Sequence, residues 1–451
     1  MKIVIIGAGK VGAMLCEQLA SENHSISVID TSPEAVRNMT ERFDVMGIIG
    51  NGATVEMQRE ANVASADLLI AATSQDEVNL LACVVGRKLG ARNTIARVRN
   101  PEYASQMDFL KNDLGLSMTI NPELEAAAEI SRILRYPAAL KISPFARGRA
   151  EMIEVKLEEN NPLVGLSLIA IRAKFQIKIL VCAVMRGEDV FIPKGDFVLH
   201  EGDRVTMIGT PKDVNAMFAR MGILTGKTRS VMIVGGGKIC YYLTRQLLGM
   251  GVSVKIIDQS EARCRELCEL LPEATVICGN GSNQELLISE GIDSMNAFVA
   301  LTGLDEENMI LSMYANECGV KKVISKVNNE NLPALLAKMG VDTVISPKRI
   351  TANGIVRYVR AMQNHRGGSI ETLYKLLDGR AEAIDFRVTD DAPIIGKPLR
   401  DIKFKPQVLV ASVVKRGTVL IADGGTVIEP GDDVIVISGK EMLQKIKDVV
   451  L

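Results

Sequence analysis

Near its start the chain reads Ile3-Val4-Ile5-Ile6-Gly7-Ala8-Gly9-Lys10-Val11-Gly12. A short apolar run reads as a buried strand, breaks at a G-x-G-x-x-G turn and continues into a helical pattern. Glycine there lets the backbone turn sharply and approach a ligand without an intervening Cβ. Unpaired N–H groups at the start of the helix then face that ligand, and an anion such as pyrophosphate is the natural guest. Asp30 closes the next apolar strand, 23 residues beyond Gly7, about where the acid that holds adenine-ribose hydroxyls falls. A carboxylate there repels a 2′-phosphate, and Thr31-Ser32 brings no arginine to receive one. NAD, or another adenine nucleotide with a free 2′-hydroxyl, is expected over NADP.

Other strand ends carry polar residues as well. Gly50-Asn51-Gly52-Ala53 follows the third strand, Ala72-Thr73-Ser74 with Asp76 to Asn79 follows the fourth, and Arg97 ends the fifth. In a doubly wound sheet these segments converge on one cleft at the carboxyl ends of the strands. Thr73 is placed for the phosphates or the far ribose, and Arg97 for the pyrophosphate. The whole set recurs. Gly235-Gly236-Gly237-Lys238-Ile239-Cys240 repeats the turn 228 residues on, Asp258 repeats Asp30, and Asn280, Thr302, Asn308 and Lys326 repeat Asn51, Thr73, Asn79 and Arg97 with an offset of 229.

Strands are predicted at 2–6, 26–30, 45–49, 67–71, 93–97 and 118–120, alternating with helical patterns over residues 1–122. Residues 229–349 read as a second copy. Between them, residues 142–225 have another texture: a strand over 152–157, a short helix opened by Pro162-Leu163-Val164-Gly165, a hairpin at Arg186 to Asp189, a turn at Glu201-Gly202-Asp203 and a closing helix from Pro211 to Met221. The tail, residues 370–451, repeats that order and ends in a helix near Lys440 to Val450. The expected fold class is α/β: two Rossmann-like doubly wound parallel sheets alternating with two small α+β domains. Helical segments join large to small from Pro122 to about Pro137, with Leu124, Ala127, Ile130 and Leu134 on one stripe, and from Pro347 through Val359. Each stripe packs inside one domain or forms a hinge or subunit interface.

Composition narrows the function. The 451 residues hold 53 Lys plus Arg against 54 Asp plus Glu, so no overall basic field points to nucleic acid. No apolar run approaches the ~20 residues of a membrane span, and the chain reads as cytoplasmic. None of the eight cysteines forms a CxxC pair, and the chain has three histidines. The cysteines read as buried, reduced thiols, and His24, His200 and His365 as surface residues. No catalytic or metal-ligating set stands out.

Taken together, the two glycine turns with Asp30 and Asp258, Thr73 and Thr302, Arg97 and Lys326 resemble the tandem RCK (KTN) family, regulatory subunits of bacterial Trk potassium uptake. The match covers nearly all of the chain. It implies RCK N-terminal domains at 1–122 and 229–349 and RCK C-terminal domains at 142–225 and 370–451. It also implies binding of NAD or NADH and of ATP or ADP, and a homo-oligomeric, tetrameric ring. That ring would lie on the inner face of the membrane, against a Trk-type potassium transporter subunit. The site residues it implies are Gly7, Ala8, Gly9, Lys10, Val11, Asp30, Asn51, Thr73, Ser74 and Arg97 in the first copy. In the second they are Gly235, Gly236, Gly237, Lys238, Ile239, Asp258, Asn280, Thr302 and Lys326. Cys240 stands where the last glycine is expected, and Lys326 is a point charge where the first copy has a planar fork. The first cleft is therefore expected to bind more tightly. A dehydrogenase or a structural scaffold are the other readings of such a fold. The first needs an acid or base brought to the nicotinamide, and the second ignores the acid kept after both second strands.

Overall fold

The computed structural model describes residues 1–104, 106, 113–136, 138–145, 149–221, 228–329, 332–341, 343–364, 370–415, 417–439, 443 and 445–451. They form two compact units, Met1–Ser131 with Arg229–Val356, and Arg132–Thr228 with Arg357–Leu451. Pro137, His365 and Arg416 lie outside the described residues.

The first lobe runs β1 (Lys2–Ile6), α1 (Lys10–Ala20), β2 (Ser25–Asp30), α2 (Pro33–Arg42), β3 (Met46–Ile49), α3 (Val55–Glu60), β4 (Leu68–Ala71), α4 (Asp76–Leu89), β5 (Thr94–Arg97), α5 (Pro101–Ala104) and β6 (Met118–Ile120). Its sheet is parallel, in the order β3-β2-β1-β4-β5-β6. β1 pairs with β2 on one side and β4 on the other, so the strand order reverses there and a crevice opens at the strand ends. Ile3 to Ile6 and Leu68 to Ala71 are all buried, as central parallel strands covered on both faces must be.

His24 is buried rather than exposed, because the turn before β2 folds back on α1 through a His24 N–H bond to the Leu19 carbonyl. α6 (Pro122–Arg135) buries Ala126, Ala127, Ile130, Ile133 and Leu134. Leu124, placed on that stripe by the sequence, is 38% exposed. At ~100° per residue it sits roughly 120° from the centre of the buried face.

The first small domain contains β7 (Ala139–Phe145), β8 (Ala150–Lys156), α7 (Leu168–Phe175), β9 (Leu180–Arg186), β10 (Asp189–Phe191), β11 (Arg204–Gly209) and α8 (Pro211–Arg220). The sheet order is β10-β9-β11-β8-β7, all antiparallel. Pro162 to Gly165 form a turn, and the helix starts only after Ser167, whose hydroxyl accepts from the Ala170 N–H. A side-chain cap, not the proline, fixes that start.

The second lobe repeats the first with β12 (Ser230–Val234), α9 (Lys238–Gly249), β13 (Ser253–Asp258), α10 (Glu261–Leu270), β14 (Thr275–Cys278), α11 (Gln284–Ser289), β15 (Ala297–Ala300), α12 (Asp305–Glu317), β16 (Lys322–Lys326), α13 (Leu332–Lys338) and β17 (Val344–Ile345). The order β14-β13-β12-β15-β16-β17 matches strand for strand. After α14 (Pro347–Asn364), the second small domain holds β18 (Ile370–Leu376), β19 (Ala381–Arg387), β20 (Val408–Lys415), β21 (Thr418–Ile421) and β22 (Asp433–Ser438), ordered β18-β19-β22-β20-β21. Its expected final helix is, among the described residues, a 3-10 turn at Ile446–Val449; residues 440–442 and 444 lie outside them.

The two small sheets share a core in which Phe145, Met152 and Cys182 meet Leu376, Ala383 and Ile437. The Tyr374 hydroxyl donates to the Pro144 carbonyl at 2.7 Å. Of the cysteines, Cys268 and Cys278 are exposed and Cys318 is half-buried, against the expectation of buried thiols. Among the described residues no helix is long and apolar enough to cross a membrane.

Candidate nucleotide site

Gly7 leaves β1 with φ +108°, and a Cβ there would lie 3.0 Å from the Ala72 carbonyl carbon and the Thr73 nitrogen. The third glycine is tighter still, since a Cβ on Gly12 would stand 2.0 Å from the Gly7 carbonyl oxygen. These contacts press the turn against the β4 end and the helix against the turn. Helix α1 then starts at Gly9 with no side-chain cap, whereas α2 and α3 are capped by Ser32 and Thr54. Its first N–H groups are left for another acceptor.

Asp30 braces that turn. One carboxylate oxygen accepts from the Ala8 N–H at 2.7 Å and the other from the Ser32 N–H at 2.8 Å. Ala8 thus spends its amide on Asp30, which also lines the crevice. Asn51 builds its own turn by accepting from the Ala53 N–H.

A cavity of about 730 Å³ opens at this point, within the range of pockets that take a ligand of cofactor size. Gly7, Gly9, Lys10, Val11, Asp30, Asn51, Thr73, Ser74 and Arg97 line it. The second lobe lines it too, through Ile239, Lys326, Asn328 and Lys348. The sequence assigned Ile239 and Lys326 to the second cleft; packing of the lobes puts both on the wall of the first. Tyr242 joins the lobes, accepting from the Asn121 amide at 3.0 Å and donating to the Arg99 carbonyl at 3.1 Å.

The wall is short of negative charge. Burial pushes the Arg97 guanidinium below its ordinary range, Arg99 adds to the push, and Glu123 and Asp76 offset only part of it. Glu123 stands 3.8 Å from Arg97 and 3.9 Å from Arg99. Burial also lowers Lys326, with Lys10 acting in the same direction against Asp305 and Glu123. Arg97 Nε is buried with no hydrogen-bond partner. Cations held out of water with incomplete pairing favour an incoming anion, and a pyrophosphate at the open helix start fits that demand.

Two residues of the Asp76 to Asn79 segment act as braces, a role their spacing does not show. Asn79, fully buried, accepts from the Thr73 N–H and hydroxyl and donates to the Thr73 and Arg97 carbonyls, tying the ends of β4 and β5 together. Asp76 accepts from the Arg99 and Asn100 N–H groups. Asn308 and Asp305 make matching contacts in the second lobe. The signal was present as a D-x-x-N step at 76–79 and 305–308.

The second turn is built alike. Gly235 has φ +103°, Gly237 starts α9 without a side-chain cap, and Lys238 opens that helix. Asp258 accepts from the Gly236 N–H at 2.7 Å and the Ser260 N–H at 2.8 Å. Asn280 accepts from the Ser282 N–H, and the Thr302 carbonyl receives Lys326 Nζ. Two features differ. Arg263 donates to the Gly236 carbonyl at 2.6 Å, and the buried Cys240, whose thiol burial pushes up to about 12, replaces glycine.

Two parallel six-stranded sheets, each with a glycine turn and acid at its switch point and each followed by an antiparallel five-stranded sheet, define a tandem Rossmann-like fold of the dinucleotide-binding type. The TrkA-N domain profile matches residues 3–122 and 231–347, and the TrkA-C domain profile matches 152–222 and 384–450. The chain belongs to the TrkA family. It is 32% identical over 450 residues to the Trk system potassium uptake protein TrkA homolog of Archaeoglobus fulgidus, covering 100% of both chains. It is 34% identical over 441 residues to the Trk system potassium uptake protein TrkA of Halomonas elongata, covering 96% of this chain and 95% of that one. A structure of the GsuK channel bound to NAD matches with a TM-score of 0.66 at 18% identity, over 97% of this chain and 76% of that one. At that identity the likeness speaks for the fold.

Proposed function

We propose that the chain is the nucleotide-sensing regulatory subunit of a Trk-type potassium uptake system, with NAD or NADH in the first-lobe cavity. The observation that carries this reading is the cavity itself: an uncapped helix start, an acid beside it and under-neutralised cations opposite. In this reading Gly9, Lys10 and Val11 offer N–H groups to the pyrophosphate, and Asp30 accepts from the adenine-ribose hydroxyls. Asn51, Thr73 and Ser74 border the rest of the ligand, and Arg97 and Lys326 balance its charge. Gly235, Gly236, Gly237, Lys238, Asp258, Asn280 and Thr302 hold a second, weaker nucleotide, and ATP or ADP compete for the same clefts.

The nucleotide is read as a signal, not consumed. Both lobes border the first cavity, so occupancy favours the arrangement of lobes that fits the ligand better. Swinging such an equilibrium from 1:99 to 99:1 takes about 5.5 kcal/mol in all, which the four coupled copies of a tetrameric ring supply at about 1.4 kcal/mol each. The ring sits on the cytoplasmic face of the membrane, against the potassium transporter subunit.

Calorimetric titration of the full-length protein with NADH, NAD, ATP and ADP tests the ligand, and pull-down from detergent-solubilised membranes with and without nucleotide tests the partner. Saturable binding and a co-purified potassium transporter are expected. No affinity for any adenine nucleotide, or steady NADH oxidation with a small substrate, overturns the proposal.

A further inference from the structure

We propose that Cys264 and Cys278 form a reversible disulfide that clamps the Asp258 turn of the second lobe. Cys264 lies on the buried side of α10, and its thiol donates to the Asp258 carbonyl at 3.3 Å and stands 3.8 Å from the Ile277 carbonyl oxygen. Asp258 and Cys278 face each other in the β13–β14 register. The Cys264 sulfur therefore sits over the ends of both strands, beside the peptide unit that leads into Cys278. At the corresponding positions of the first lobe stand Val36 and Ile49, so packing at this corner of the fold does not call for sulfur.

The two thiols differ in a way that orders the chemistry. Cys278 is exposed and meets an oxidant first. Burial pushes the Cys264 thiol up to about 11, with Cys278 and Cys268 adding to it, so it waits in the protonated form. With hydrogen peroxide, the Cys278 thiolate attacks one oxygen, the O–O bond breaks, and a sulfenic acid and hydroxide result. The hydroxide takes the Cys264 proton, the Cys264 sulfur attacks the sulfenic sulfur, and the S–O bond breaks as the S–S bond forms, releasing a second hydroxide that takes up the proton Cys278 gave to solvent on ionising. In sum, two thiols and one peroxide give a disulfide and two waters. A dithiol reductant returns both thiols. The bond ties α10 to the β14 edge around Asp258, whose carboxylate holds the Gly236 and Ser260 N–H groups.

The experiment is oxidation of the full-length protein with hydrogen peroxide, alkylation, digestion without reductant and mass spectrometry, with amide exchange followed in parallel. A linked Cys264–Cys278 peptide that disappears on adding dithiothreitol is expected. It should persist in Cys268→Ser and vanish in Cys278→Ser, with slower exchange across residues 258–264 in the oxidised protein. Pairing of Cys278 with Cys268, or its passage to sulfinic acid while Cys264 still alkylates after denaturation, overturns the proposal. Unchanged exchange in the linked protein overturns the clamp. None of these readouts depends on nucleotide binding.

Discussion

Replacing Asp30 by alanine separates two jobs of one carboxylate. Inside the protein it accepts from the Ala8 and Ser32 N–H groups at 2.7 and 2.8 Å. Ser32 keeps access to water, but Ala8 is buried, so its N–H is left without an acceptor at about 1–3 kcal/mol. Toward a ligand, the lost charge-assisted bonds to the ribose hydroxyls are worth about 1.5–3 kcal/mol, roughly 10- to 150-fold in Kd. Asp30→Asn keeps one acceptor oxygen but turns an NH2 toward one of the two N–H donors, so it should show about half of the stability loss of Asp30→Ala and nearly all of its affinity loss. Calorimetry with NADH and urea unfolding, run on both variants and on Asp258→Ala, read these effects apart. Lost stability with unchanged affinity would reduce Asp30 to a brace for the turn; lost affinity with full stability would refute the Ala8 argument. The second cleft, where Arg263 already grips the Gly236 carbonyl at 2.6 Å, should show the smaller affinity loss, and equal losses at Asp30 and Asp258 would remove the ranking of the clefts.

Other consequences are simpler. Gly7→Ala places a methyl 3.0 Å from two backbone atoms at φ +108° and should cost about 1–2 kcal/mol or more, read by denaturant unfolding with NADH binding lost in parallel. Asn79→Ala strands several buried groups of Thr73 and Arg97 and should cost ~2–4 kcal/mol, with a smaller loss if water enters the gap. Tyr242→Phe removes the hydroxyl between Asn121 and Arg99; about 1–2 kcal/mol of stability and weaker nucleotide binding are expected, and unchanged binding would show that contact to be irrelevant to the cavity.

What could be read from the sequence was the order of strands and helices and the spacing of glycines and acids along them. Strand and helix periods, glycine spacing and the acid after the second strand are local or depend on neighbouring strands, and the repeat at an offset of 228 to 229 supplied a second reading of each. The direction of the Asp30 oxygens toward Ala8 and Ser32 was not readable, because spacing places a residue at a strand end without orienting it. Asp76 and Asn79 were visible as a repeated step, yet their role as staples appears only when β4 and β5 lie side by side. Ile239, Lys326 and Lys348 on the first cavity depend on how one lobe packs against the other, and no period in the chain encodes that.

Lys326 turns that packing into a pH dependence. Burial holds its ammonium below the ordinary 10.5, so between the lowered value and 10.5 the unfolded chain carries a proton that the folded one has shed. Stability of the free protein then rises with pH through that window. An anion in the cavity favours the ammonium, so binding takes up a proton there, and nucleotide affinity falls as pH rises. Lys326→Met keeps the apolar stem and removes the charge, and the Thr302 carbonyl still receives the Asn308 amide at 3.3 Å. The variant should be as stable as the parent or more so near neutral pH, bind NADH more weakly, and lose this part of the alkaline fall in affinity. Calorimetry in two buffers of different ionisation enthalpy measures the proton uptake directly. A Lys326→Met protein that binds NADH with parental affinity and parental proton uptake would mean that the second lobe borders the first cavity without reading its contents.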